Sequence, residues 1–323
     1  MRRREFIALM GASVAWPFAA RTQQAGRTYS LGGVSSIPHN SPLLVPMFDE
    51  PRRQGFIVGQ NLTVDWRAYG AEADLIPKFV AELVKAQVDV IYVGGDSGIR
   101  AAQQATPTIP ILGVTDDMVG QGLVNSLGRP GGNTTGVSIL ATELNGKRQE
   151  ILIEAVPGLR RMAILADAKA TRSPELQTLQ GAARARDVEV LIYRVAIAEE
   201  ITAAIDKAKA SGAAAINVLS SPFLYSNRQL IFDRAAALRL PAIYEWAEEV
   251  EEGGFLAYGP RIAQIFRELV PRQLVKLLRG VKPADIPIEQ PTKFELVINL
   301  KTANAMGVSV PATLVARADN VIE

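Results

Sequence analysis

The chain has 323 residues, 48% of them apolar, with 35 Lys and Arg against 33 Asp and Glu. At roughly 100–200 residues per domain it is long enough for two cores, and the near-balanced charge excludes a disordered tail protein and a strongly basic nucleic-acid binder. With no cysteine and a single histidine, His39, it also excludes disulfides, thiolate chemistry, a lipid-bearing N-terminal cysteine and multi-histidine metal sites.

Residues 1–25 read as an export signal. Arg2, Arg3 and Arg4 precede an uncharged apolar run over 6–20, too short to span a bilayer comfortably but suited to a signal's central region. The order Arg3-Arg4-Glu5-Phe6-Ile7 resembles the twin-arginine export motif. Cleavage is expected between Ala19 and Ala25, which predicts a periplasmic protein with no tether. The four arginines of this segment, set against Glu5, carry most of the basicity: without residues 1–25 the formal charge moves from +2 to −1.

From Tyr29 onward short β-rich runs alternate with amphipathic stretches. Strands are predicted over 30–34, 62–66, 88–93, 109–114 and 136–140, then over 162–166, 188–193, 214–219, 242–245 and 255–258. Runs such as 88–93 are almost continuously apolar, as strands covered by helices on both faces are. Helices fall between them, one starting at Asp74 as N-cap, one at Ser173-Pro174, others over 199–210, 227–238 and 262–278, the last interrupted by Pro271. The rhythm predicts an α/β fold of two doubly wound parallel-sheet lobes; a single eight-stranded barrel stays open at this point. Breaker clusters at 129–133, 252–254 and 283–291 supply three crossings, which place residues 27–137 plus 255–285 in one lobe and 138–254 plus 286–323 in the other.

The chemistry motifs point away from catalysis. Gly95-Asp96-Ser97-Gly98 lacks the glycine two residues after serine that a nucleophile elbow requires, and Asp96 and Ser97 read instead as the cap of a helix. There is no phosphate-binding or dinucleotide fingerprint, and Asp116-Asp117 lacks partners at ligand spacing, so neither a metal nor a cofactor is expected. What remains is a set of polar and aromatic residues just past strand carboxyl ends, where open α/β sheets bind ligands. Ser35 and Ser36 follow the first strand, Asp96 and Ser97 the third, Thr115 and Asp116 the fourth. In the second half Ser220, Ser221 and Tyr225 follow one strand, Glu245 and Trp246 another, and Tyr258 lies near a crossing. These twelve are the expected ligand-binding residues.

Several stretches resemble a known family. They are 55–61 (GFIVGQN), 126–137 (SLGRPGGNTTGV), 253–259 (GGFLAYG) and, most specific, 289–303 (EQPTKFELVINLKTA). Together they are similar to the ABC-transporter substrate-binding family that includes tryptophan- and tyrosine-type periplasmic binders. The resemblance implies a type I periplasmic binding protein, with two lobes, three crossovers and a small molecule held between them. It also implies delivery to an inner-membrane permease with its ATPase. In relatives the loop at Ser220-Ser221-Pro222 often carries an acidic residue able to hold an α-ammonium. The expected protein is a monomer, not embedded in the membrane and with no nucleic-acid partner. A sensor handing its liganded state to a membrane receptor, a hydrolase on a doubly wound sheet and a ligand-responsive regulator are the rival readings; the last would need a DNA-binding headpiece where the signal stands.

Overall fold

The computed structural model describes residues 26–70 and 72–323, so the predicted export signal lies outside the described residues. The first sheet contains β1 (Tyr29–Ser35), β2 (Leu62–Ala68), β3 (Val90–Gly94), β4 (Ile111–Thr115) and β5 (Thr134–Ser138). Its order is β2-β1-β3-β4-β5 and every pair is parallel. The second contains β6 (Arg161–Asp167), β7 (Glu189–Val195), β8 (Ile216–Val218), β9 (Ala242–Tyr244), β10 (Leu256–Gly259), β11 (Glu295–Asn299) and β12 (Asn320–Ile322). There the order is β12-β11-β10-β9-β8-β6-β7, with only β10 and β11 antiparallel. The stretch β7-β6-β8-β9-β10 repeats the winding of the first sheet. Both sheets are open, so the barrel is not formed, and each has its switch point beside its first strand.

Burial explains the strand runs. Residues 31–35, 90–93 and 111–115 are buried throughout, because helices cover both faces of each sheet. On one face of the first sheet Leu83 and Ile99, from helices Ile76–Lys85 and Asp96–Ala105, pack with Val34, Ile91 and Ile111. On the other, Val270 and Leu274 of helix Val270–Leu278 pack with Leu31, Leu112 and Val137, although they lie far along the chain. That helix returns to the first lobe after the second has been built, so both lobes are discontinuous.

Three expectations are corrected. The second crossing comes after β10: Leu256 pairs with Ile243 and Ile298, and Phe255 is buried in the second lobe's core, so the crossing is at Pro260-Arg261 and not before residue 255. The third lies between Glu289 and Lys293, because Ile286 and Ile288 are still buried in the first lobe. Asp74 is not a cap; the chain runs through a short 3-10 turn, Ala73–Leu75, into Ile76–Lys85, and its carboxylate instead reaches Lys169 Nζ of the other lobe at 3.2 Å. The expected interruption of the 262–278 helix at Pro271 is present as a local change of helix type. The residues before it, Ile265–Leu269, form a wider i→i+5 turn, and Pro271 falls in the first turn of Val270–Leu278, where a missing N–H costs least. The first and third crossings run side by side, Ser138 N donating to Glu289 O (2.9 Å) and Glu289 N to Gly136 O (3.0 Å).

Candidate functional site

The carboxyl ends of the two sheets face one another across a cavity of about 130 Å³. Ten of the twelve expected residues line it: Ser35, Ser36, Asp96, Thr115 and Asp116 from the first lobe, and Ser220, Ser221, Tyr225, Glu245 and Trp246 from the second. Ser97 is not in the wall; it is exposed in the first turn of Asp96–Ala105. Nor is Tyr258, which lies within the second lobe's strand β10, with its ring 6.5 Å from that of Phe294. Neither Asp96 nor Ser97 caps its helix: the cap position is Gly95 at φ 78°, a backbone state that suits glycine, and its N–H is tied to Val114 O at 2.8 Å. Asp96 is therefore left partly buried at the cavity wall with its side chain uncommitted to the cap. His39 is exposed, with its ring 6.4 Å from that of Trp66, and lies outside the wall.

The lobes touch. Ser220 Oγ donates to Asp116 Oδ1 across the cleft at 3.1 Å, and Arg172 Nη1 donates to Gly120 O at 3.1 Å. Trp246 and Tyr225, both carried by the second lobe, pack against the first lobe's apolar cluster. Ser221 is committed to local structure, its Oγ accepting from Leu224 N at 2.9 Å to cap the helix Pro222–Ser226. Tyr225 carries the Arg228 guanidinium 4.4 Å over its ring. Burial pushes its phenol up to about 12, so it is a neutral hydrogen-bonding group at physiological pH.

The sequence reading missed two parts of the site. The first is an aromatic wall: Tyr69, Tyr92 and Phe266 line the cavity, with Tyr92 stacked on Trp66 at 5.1 Å and meeting Phe266 edge-on at 6.3 Å. The second is a buried charge cluster. Arg148, in the middle of helix Ala141–Ala155, is fully buried; its Nε donates to Tyr258 O at 2.8 Å, its Nη1 to Asn145 Oδ1 at 2.7 Å, and its Nη2 lies 3.9 Å from Glu245 Oε1. Asn145 in turn donates to Glu175, and Glu249 Oε2 accepts from Trp246 N at 3.0 Å.

Four carboxylates thus act on one guanidinium: Glu245, Asp116, Glu249 and Glu175. Burial raises all four. For Asp116 the charge of Glu245 adds to burial, and the Ser220 hydroxyl and Arg148 only partly offset it. Glu245 is pushed up to about 7 by burial, against the pull of Arg148 and Ser220. Glu249 also rises to about 7 through burial, opposed by the Trp246 N–H. Glu175 is raised by burial against its hydrogen bond from Asn145. Such a surplus of desolvated negative charge is what a cationic group entering the cavity would neutralise. Among the described residues no three of His, Cys, Asp or Glu converge as a metal site.

The model of the ABC transporter substrate binding protein family matches residues 52–322. The chain belongs to that family. This substrate-binding protein is 25% identical over 263 residues to the tyrosine-binding protein of Clostridioides difficile, covering 78% of this chain and 73% of the relative. Its fold superposes on a conserved domain protein from Vibrio cholerae with a TM-score of 0.82 at 22% identity, covering 91% of this chain and 100% of the other. It superposes equally fully on an ABC domain in complex with L-Trp from Streptococcus pneumonia, with a TM-score of 0.80, 22% identity and the same 91% and 100% coverage. The family is one of binding proteins rather than enzymes, and the substrate-binding protein has no helix among its described residues long and apolar enough to cross a membrane.

Proposed function

We propose that this substrate-binding protein traps a small zwitterionic amine, an amino acid with an aromatic or apolar side chain, and delivers it from the periplasm to an inner-membrane ABC permease and ATPase. The observation that carries the reading is the composition of the cavity: the buried Glu245 and half-buried Asp116 at one end and an aromatic wall beside them. Asp116 and Glu245 would hold the ammonium. The ligand carboxylate would lie against the first turn of Asp96–Ala105, whose backbone N–H groups and positive dipole end favour an anion, with the hydroxyls of Ser35, Ser36 and Thr115 as further donors. Tyr92, Trp246, Phe266 and Tyr225 would flank the side chain. The acidic group that relatives often place in the loop at Ser220 comes here from Asp116 and Glu245, two other strand ends.

The relatives' names support this ligand class, since one is a tyrosine-binding protein and another was solved with L-Trp. Export through the twin-arginine motif, a free periplasmic monomer and transport rather than sensing belong to the same proposal. The test is a thermal-shift screen of the purified protein against the protein amino acids. A ligand bound only by the native state raises the melting temperature by mass action, and a rise with L-tyrosine, L-tryptophan or an apolar amino acid is the expected result. No response to any amino acid refutes the ligand class.

A further inference from the structure

We propose that Asp116 and Glu245, one from each lobe, form an electrostatic gate: the lobes come together only when a proton or a cation lies between the two carboxylates. The inference rests on the cavity being the ligand site, and it concerns how closure is controlled rather than which amino acid is held. Asp116 stands at the end of β4 in the first lobe and Glu245 at the end of β9 in the second, so only closure makes them neighbours. In the structure Ser220 of the second lobe donates to Asp116 Oδ1, while Glu245 Oε1 has no hydrogen-bond donor among the described residues and lies 3.9 Å from the Arg148 guanidinium, which with Ser220 partly offsets its burial.

Among the described residues the surroundings add no second cation. Asp116 faces Glu245, Arg148 and Glu175; Glu245 faces Arg148, Asp116 and Glu249. The remaining nearby guanidiniums serve the outer carboxylates, Arg172 acting on Glu175 and Arg228 on Glu249. Two ionised carboxylates brought together in a water-poor cavity repel strongly, since the interaction grows as the local dielectric falls. With the lobes apart Asp116 would be hydrated and ionised at neutral pH, freed of the Glu245 charge that raises it in the structure. Closure without a ligand then requires taking up a proton, whereas closure around an ammonium does not.

The sign follows from linkage. A carboxyl whose affinity for protons is higher in the closed form favours closure at low pH. The advantage fades as pH rises through the closed-state value of Asp116, which burial and the charge of Glu245 hold well above the ordinary carboxylate range. A ligand's ammonium restores closure at the higher pH.

The chain has no cysteine, so Gln104→Cys in the first lobe and Gln177→Cys in the second, both exposed helical positions, give a unique pair of spin labels. Their distance distribution is measured in the ligand-free protein between pH 5 and pH 8. The expected result is a closed population that shrinks as pH rises, and one that persists at pH 8 in Glu245→Gln and in Asp116→Asn. Addition of 2-phenylethylamine, a cation with no carboxylate, should restore closure of the otherwise unaltered chain at pH 8 and change little in Glu245→Gln. A distribution independent of pH overturns the gate, as does a folded Glu245→Gln or Asp116→Asn as open at pH 8 as the chain that keeps both carboxylates. Because the pH series needs no ligand and no carboxylate variant, it decides the gate even if those variants do not fold and no amino acid binds.

Discussion

Glu249 shows how a buried carboxylate can weaken the protein that contains it. It is 5% exposed, it accepts from Trp246 N, and burial lifts it to about 7. A carboxyl raised in the folded state binds protons more tightly there than in the unfolded chain. It therefore lowers stability as pH rises from the unfolded value, near 4.5, to the folded one, with no further change above about 7. Gln at this position keeps an acceptor for the Trp246 N–H without the charge. Glu249→Gln should raise the melting temperature at pH 8 by several degrees, an effect on the order of 3 kcal/mol, and raise it much less at pH 5. Thermal unfolding of both proteins across that range checks it; a loss of stability at pH 8 contradicts the assignment. Arg148 belongs to the same scale and explains why the charge cluster was hidden in the sequence. Asn145, Arg148, Gln149 and Leu152 fall at i, i+3, i+4 and i+7, one stripe of helix Ala141–Ala155, and all four are buried. Three polar residues on the core-facing stripe read, in a single sequence, as a solvated face.

Among the elements, β5 and the crossing that follows it are the most constrained. Gly136 has φ 149°, and a Cβ there would lie 1.8 Å from Gly113 O on the neighbouring strand β4. The obstacle is backbone, so no rotamer change relieves it. Gly136→Ala should separate β4 from β5 and disturb the Glu289 N–Gly136 O bond that joins the first and third crossings. The expected loss is about 3 kcal/mol or more, measured by denaturant unfolding; a loss under about 1 kcal/mol contradicts the packing described. Element by element, every strand run predicted from the sequence overlaps a strand, since continuous apolar stretches are what double-sided burial demands. The same pattern is silent on which sheet a strand joins. β10 was therefore assigned to the wrong lobe, and β12, three residues long, carried too little pattern to be seen. Cavity-lining residues were legible for the complementary reason: strand order and handedness put polar residues after β1, β3, β4, β8 and β9 at one edge of each sheet.

At the level of the whole molecule, two discontinuous lobes joined by three crossings leave one cavity lined by the carboxyl ends of both sheets. In the structure Trp246 and Tyr225 pack against the first lobe, and Asp116 stands at the edge of the second lobe's charge cluster. A ligand that supplies an ammonium and an aromatic group would stabilise that arrangement through both contacts. Calorimetric titration of the protein with L-tyrosine and L-tryptophan at pH 8 tests this most directly, alongside Asp116→Asn and Trp246→Ala. The account predicts one-to-one binding of at least one of the two, weakened at least tenfold by each substitution, about 1.4 kcal/mol or more. Binding of unchanged affinity in both variants, or no binding of either amino acid, would contradict it.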